Sequence, residues 1–222
     1  MDAHDIIQDR ERFPSYLQKL LKERTRHVIS SHGLTPSAVL VPICYRDEGF
    51  SVLLTRRSMN VQYHKGEVAF PGGSIEPSDN GPESAALRES WEEIGLRPEA
   101  VHVLGRLDDH VTLLGFHIVP VVGLIPGDYD FKINTETDSL FYVPLKAIVA
   151  DSVWQGEEYV KGQSSIMIYY VKVDNEIVWG ATARILKHLA DLIAGREIKS
   201  IPISPEARRF MEARLTHAYR GQ

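Results

Sequence analysis

Apolar residues cluster in two ways along the chain. From Ser37 to Thr55 they form two runs, Ala-Val-Leu-Val-Pro-Ile-Cys-Tyr and Phe-Ser-Val-Leu-Leu-Thr, separated by Arg-Asp-Glu-Gly. Runs of this length on either side of an Asp-Glu-Gly turn predict a β-hairpin. Upstream, Ile6, Phe13, Leu17, Leu20, Leu21 and Val28 are spread among charges. That spacing predicts one or two amphipathic helices between residues 5 and 28, interrupted by Pro14.

After a loop at 56–66 and a short strand at Glu67–Phe70, Pro71-Gly72-Gly73 and the Pro-Ser-Asp-Asn-Gly-Pro stretch at 77–82 punctuate the chain. A helix opening at Pro82 then places Leu87, Trp91 and Ile94 on one side, predicting that this side packs on the core. Gly95 follows as its C′ residue. Further strands are expected at 101–107, 116–125, 140–143 and 166–173, with Val178 leading into a helix near 180–194 and a last helix at 205–218. This order lacks a βα repeat and predicts an α/β fold, a mixed sheet with helices on its faces.

On the other side of the Pro82 helix, Glu89, Glu92 and Glu93 fall at i, i+3 and i+4. Taken alone, three glutamates on a helix describe a solvated face; within one turn they also repel one another unless a cation lies between them. Oxygen donors with few protein ligands suit Mg²⁺ or Mn²⁺, which commonly bind together with substrate phosphates.

Composition narrows the classes. With 25 Lys and Arg against 30 Asp and Glu the formal charge is −5, and no basic stripe runs along the chain, which argues against a nucleic-acid partner. At 222 residues one elaborated domain is expected. The single Cys44 excludes an intrachain disulfide and a cysteine-only zinc site, and its apolar strand marks it as an inert thiol suited to a reducing compartment. No apolar leader, membrane-length run or peroxisomal C-terminus is present, so a cytoplasmic protein is expected. His110 and His117 match no zinc spacing.

Arg88-Glu89-Ser90-Trp91-Glu92-Glu93-Ile94-Gly95-Leu96, preceded by Gly73, resembles the signature of the Nudix hydrolases. Two positions depart from it: Ser90 stands at an apolar position, and Asp79 replaces a Glu, with one extra residue before Arg88. Upstream, Leu53-Leu54-Thr55-Arg56-Arg57-Ser58 and Gly66-Glu67-Val68-Ala69-Phe70-Pro71-Gly72-Gly73 are similar to the motif of the coenzyme A pyrophosphatase branch, although Gln62 stands where that branch has Arg. Pro120-Val121-Val122-Gly123, Val143-Pro144-Leu145 and Trp179-Gly180-Ala181-Thr182-Ala183 continue the likeness.

The resemblance implies an α/β/α sandwich over residues 37–195, with helical extensions at 1–36 and 196–222. It implies hydrolysis of a nucleoside diphosphate derivative, coenzyme A or an acyl-CoA first, with ADP-ribose, NADH or dinucleoside polyphosphates as alternatives. A non-catalytic nucleotide-binding module is the rival from another class. Glu89, Glu92 and Glu93 become the expected metal ligands, with the Gly73 carbonyl as a fourth oxygen. The general base is left open between Glu89 and Glu136, the latter on a mobile loop ahead of a strand, with Glu92 alongside. Arg56, Arg57, His64 and Lys65 are expected to hold substrate phosphates, while Arg88 orients an acidic neighbour. Tyr63, Trp154 and Tyr159 are candidates to stack on a base. A homodimer is also implied.

Overall fold

Thr35–Arg46 forms β1, the strand on which the molecule is organised. This computed structural model describes residues 3–47, 49–58, 66–112, 114–161, 164–174 and 176–197, and gives the backbone alone for 157–161 and 164–167. The expected helix at 205–218 and residues Gln62, Tyr63, His64 and Lys65 therefore lie outside the described residues, as does the side chain of Tyr159.

Two short helical segments come first, α1 (Ala3–Ile6) and α2 (Arg12–Glu23). The strands that follow β1 are β2 (Gly49–Arg57), β3 (Val68–Ala69) and β4 (Gly72–Ser74), then α3 (Pro82–Ile94). β5 (His102–Arg106), β6 (His110–Val111), β7 (Phe116–Leu124) and β8 (Thr137–Pro144) lead to α4 (Leu145–Ile148). β9 (Trp154–Lys161), β10 (Ser164–Val173), β11 (Glu176–Trp179) and α5 (Gly180–Ile193) complete the described chain.

β1 pairs antiparallel with β2 across the expected hairpin and parallel with β7, from Thr35↔Phe116 to Ile43↔Leu124. The main sheet runs β3-β2-β1-β7-β5, with β8 also on β2, β4 on β1 and β6 on β7. β9, β10 and β11 form a separate antiparallel sheet. The main sheet is mixed and helices flank it, as the element order predicts.

Both faces of the sheet are covered, which is why the hairpin strands read as nearly unbroken apolar runs. Alternate residues go to opposite layers. Ala38, Leu40, Leu53 and Val121 pack with Ala85, Ala86 and Ile94 of α3, while Val41, Ile43, Val52, Leu54 and Val122 face Phe13 and Leu17 of α2 and Ile185, Leu186 and Leu189 of α5. The N-terminal helices thus share an apolar layer with α5.

Several local expectations are corrected. Pro14 sits in the first turn of α2, where a proline removes no intrahelical hydrogen bond, and so it does not divide the helix. Trp91, expected in the core, is 58% exposed; α3 packs through Ala85, Ala86, Ser90 and Ile94 instead. Small residues let the helix approach the sheet closely. The Ser90 hydroxyl, fully buried, is satisfied by donating to the Ala86 carbonyl at 2.6 Å. β4, β6 and β9 were not expected, being very short or rich in polar residues.

A polar seam joins the N-terminal segment, the β5–β6 connection and α5. Arg24 pairs with Asp108 at 2.7 Å, Arg26 pairs with Asp109, and His117 Nε2 lies 2.9 Å from Asp109. His188 of α5 stands 3.6 Å from Asp108. Burial pushes His188 down to about 4 and His110 well below the ordinary range, with the Arg184 charge acting in the same direction on both. Between pH 6.5 and 4 these two histidines therefore bind more protons in the unfolded chain than in the folded one, and their contribution to stability falls as the pH drops through this window. Urea unfolding of the parent protein and H188Q compared at pH 6.5 and pH 5 should show the parent losing up to about 1.4 kcal/mol per pH unit more stability than the variant.

Candidate active site

The glycine turn is built into the sheet. Gly72 and Gly73 face Val39 and Ala38 as part of β4, and Leu40 N–H donates to the Pro71 carbonyl at 2.9 Å. A Cβ on Gly72 would lie 2.4 Å from the Ala38 carbonyl oxygen, so this position admits glycine only. A Cβ on Gly73 would lie 2.5 Å from the Glu89 carboxylate. The missing side chain is the space in which that carboxylate rests.

α3 delivers the acids. Pro82 opens it and Gly95, at φ 68°, closes it in the left-handed conformation that glycine adopts without strain. Glu93, expected to face away from the core, is instead 7% exposed and accepts from the Gly72 N–H at 3.2 Å. Burial pushes its carboxyl up to about 7, against the opposing pull of that N–H and of Arg57. Glu89 is also raised by burial, an effect its contact with Arg88 only partly offsets. Glu92 is more open, with 54% of its side chain exposed.

Arg88 orders the outer side of this group. It makes two bonds to Asp79, from Nε at 3.1 Å and Nη2 at 3.0 Å, and Nη1 reaches Glu89 at 3.0 Å and Glu92 at 3.2 Å. Nη2 also donates to the Ser74 carbonyl at 3.0 Å. The fork holds Asp79 below the ordinary carboxylate range. Asp79, a departure from the signature in both type and spacing, is thus the anchor of the expected orienting arginine. D79A should cost about 2 kcal/mol in urea unfolding, because it strips a largely buried guanidinium of its bidentate partner.

The two adjacent arginines of β2 separate. Arg56 pairs with Glu176 of β11 and donates to the Gly66 carbonyl at 3.0 Å, tying the two sheets together. A register shift between Arg56 and Arg57 marks an irregularity against β8. Arg57 turns to the acids, 3.7 Å from Glu93 and 3.9 Å from Glu136. Such bulges commonly re-aim side chains next to active sites. Glu136 thereby joins Glu93 through one guanidinium. Its backbone is held on both sides, the N–H by Asn134 Oδ1 at 2.8 Å and the carbonyl by Ser58 N–H at 2.7 Å. Trp154 donates from its indole to the Ile148 carbonyl, a packing contact.

Among the described residues no three acidic, histidine or cysteine side chains form a ready-made cage. The donors are nonetheless hard oxygens. Glu89 and Glu93 are like charges held out of water beside one another, an arrangement that a divalent cation relieves, with water and phosphate completing its shell. These residues fit such an ion.

The NUDIX domain model matches residues 34–161, more than half of the chain. The chain belongs to the Nudix hydrolase family. It is 38% identical over 159 residues, 71% of its own length, to an uncharacterized Nudix hydrolase, NudL, of Yersinia pestis (strain Pestoides F), covering 79% of that protein. The same figures hold for NudL of Yersinia pseudotuberculosis serotype O:1b (strain IP 31758). A Nudix hydrolase structure from M. smegmatis, RenU, overlays with a TM-score of 0.44 at 23% identity, covering 51% of this chain and 73% of that one. Nudix hydrolases act with divalent metal ions on small-molecule nucleotides, and this chain is a pyrophosphatase of that class. No helix among the described residues is long and apolar enough to cross a membrane.

Proposed function

We propose that this Nudix pyrophosphatase splits coenzyme A or an acyl-CoA into 3′,5′-ADP and the (acyl-)4′-phosphopantetheine half, using Mg²⁺ or Mn²⁺. The observation that carries the catalytic part is the seating of Glu93 and Glu89 against Gly72 and Gly73, with Arg57 between Glu93 and Glu136. The substrate rests on the segment from Leu53 to Gly73, whose pattern is similar to the coenzyme A branch. Arg57, the position matching that branch, is also the arginine of β2 aimed at the acids.

Glu89 and Glu93 would hold the ion, with the Gly73 backbone and Glu92 beside them. When bound, the ion lowers the pKa of a water and neutralises charge on the phosphate oxygens. Glu93 is fixed by the Gly72 N–H, and Glu89 by the fit of its carboxylate over Gly73. Arg88 keeps Glu89 and Glu92 oriented while Asp79 keeps Arg88 in place. Glu136, exposed on the far side of Arg57, would take the proton of the attacking water as general base. Arg57 presents a planar fork that suits a phosphate.

Gln62 favours a second reading within the class. Where the branch has an arginine, Gln offers no positive charge to a 3′-phosphate, which suits ADP-ribose, NADH or a dinucleoside polyphosphate. A Mg²⁺-dependent hydrolysis screen over coenzyme A, ADP-ribose, NADH and diadenosine polyphosphates decides between them. Coenzyme A should give the highest kcat/KM, and preference for ADP-ribose would transfer the assignment to the second reading. Chelation should abolish turnover on every substrate.

Glu93→Gln keeps an oxygen for the Gly72 N–H and removes the charge. It should leave the urea midpoint near that of the parent protein and lower kcat by about 100-fold or more. Unchanged turnover would remove Glu93 from the metal site.

A further inference from the structure

The last four carbonyls of an α-helix have no partner inside the helix, and they must be satisfied from elsewhere. In α3 these belong to Trp91, Glu92, Glu93 and Ile94. Gly95 N–H takes the Trp91 carbonyl at 2.9 Å. The other three go to one stretch of the loop ahead of β8: Lys132 N–H takes Ile94 at 2.9 Å, Asn134 N–H takes Glu93 at 3.0 Å, and Asn134 Nδ2 takes Glu92 at 3.0 Å. The end of the acidic helix is therefore completed by the loop that carries Glu136.

Asn134 also acts in the other direction. Its Oδ1 accepts the Glu136 N–H at 2.8 Å, and its carbonyl accepts the Thr137 N–H at 3.3 Å. A side-chain amide is a donor at one end and an acceptor at the other; a carboxylate lacks the donor and a methyl group lacks both. Here the donor end reads the helix and the acceptor end holds the backbone of the loop acid.

We propose that Asn134 is a positioning residue of the reaction: it makes the end of α3 and the Glu136 backbone one unit, fixing the base relative to Glu89 and Glu93. The proposal rests on Glu136 being the general base. Asn134 touches no reacting atom and acts only through that neighbour. Because misplacement by about 1 Å costs up to about 100-fold in rate, its loss should register in turnover.

The test is a double-mutant cycle on the full chain with the best substrate of the screen. N134A should lower kcat by about 10- to 100-fold with KM within about twofold of the parent. In the E136Q background the same change should cost little, since there is no base left to misplace. A near-normal kcat in N134A, or a penalty repeated in full in the E136Q background, would overturn the positioning role. Parent-like turnover in E136Q alone would mark a different failure, that of the base assignment. Hydrogen exchange at the Glu136 amide supplies a readout independent of rate: it should accelerate at least about tenfold in N134A and remain slow in N134D, which keeps the accepting oxygen. Unaltered exchange in N134A would also overturn the proposal, and N134D serves for the exchange measurement against the parent if N134A does not fold.

Discussion

The structure turns on the burial of carboxylates against a backbone that carries no side chains. Glu93 is almost wholly withdrawn from water and Glu89 lies over Gly73, so two like charges sit where charge is least welcome. What makes this tolerable is local. The Gly72 N–H faces one acid, the Arg88 fork faces the other, and Arg57 stands on the open side of the first. Remove the space at Gly72 or Gly73 and neither β4 nor the acids could occupy their places.

That arrangement needs a helix held very near the sheet. Ala85 and Ala86 bring α3 close to Ala38 and Leu40, and β1 holds β4 beside it in the sheet, where Gly73 meets Glu89 of α3. The opposite layer, made by α2, α4 and α5, supplies most of the large apolar side chains. One layer is thus built for volume and the other for proximity, and the acids lie in the second. The second sheet is fastened to the first at Arg56 and Glu176, one residue before the arginine that faces Glu93 and Glu136.

Much of this was legible in the residues. The hairpin, the glycine turn, the helix from Pro82 to Gly95 and the grouping of Glu89 with Glu93 all follow from spacing and punctuation. The burial of Glu93 did not, because the apolar bulk of Trp91 outweighs the alanines in any reading of helical faces, whereas close approach rewards the alanines. Asp79 looked displaced from its expected place, and only the folded turn brings it to Arg88. Arg56 and Arg57 differ by one position, and strand alternation sends them to opposite faces; which of them meets the acids depends on pairing with β8 that sequence spacing does not encode.

The parallel pairing of β1 with β7 has a consequence for how the site comes into being. The hairpin can close as soon as Phe50 follows Tyr45, but Thr35 must wait for Phe116 before the central strand gains its other neighbour. Contacts so distant along the chain are slow to form, since a long loop has to close before they reward the closure. During synthesis the glycine turn and acidic helix therefore emerge before the strand that completes their platform, and Glu136 emerges after both. Glu89 and Glu93 are thus in the chain before Glu136, and the end of α3 stays uncapped until the loop at 132–136 has docked.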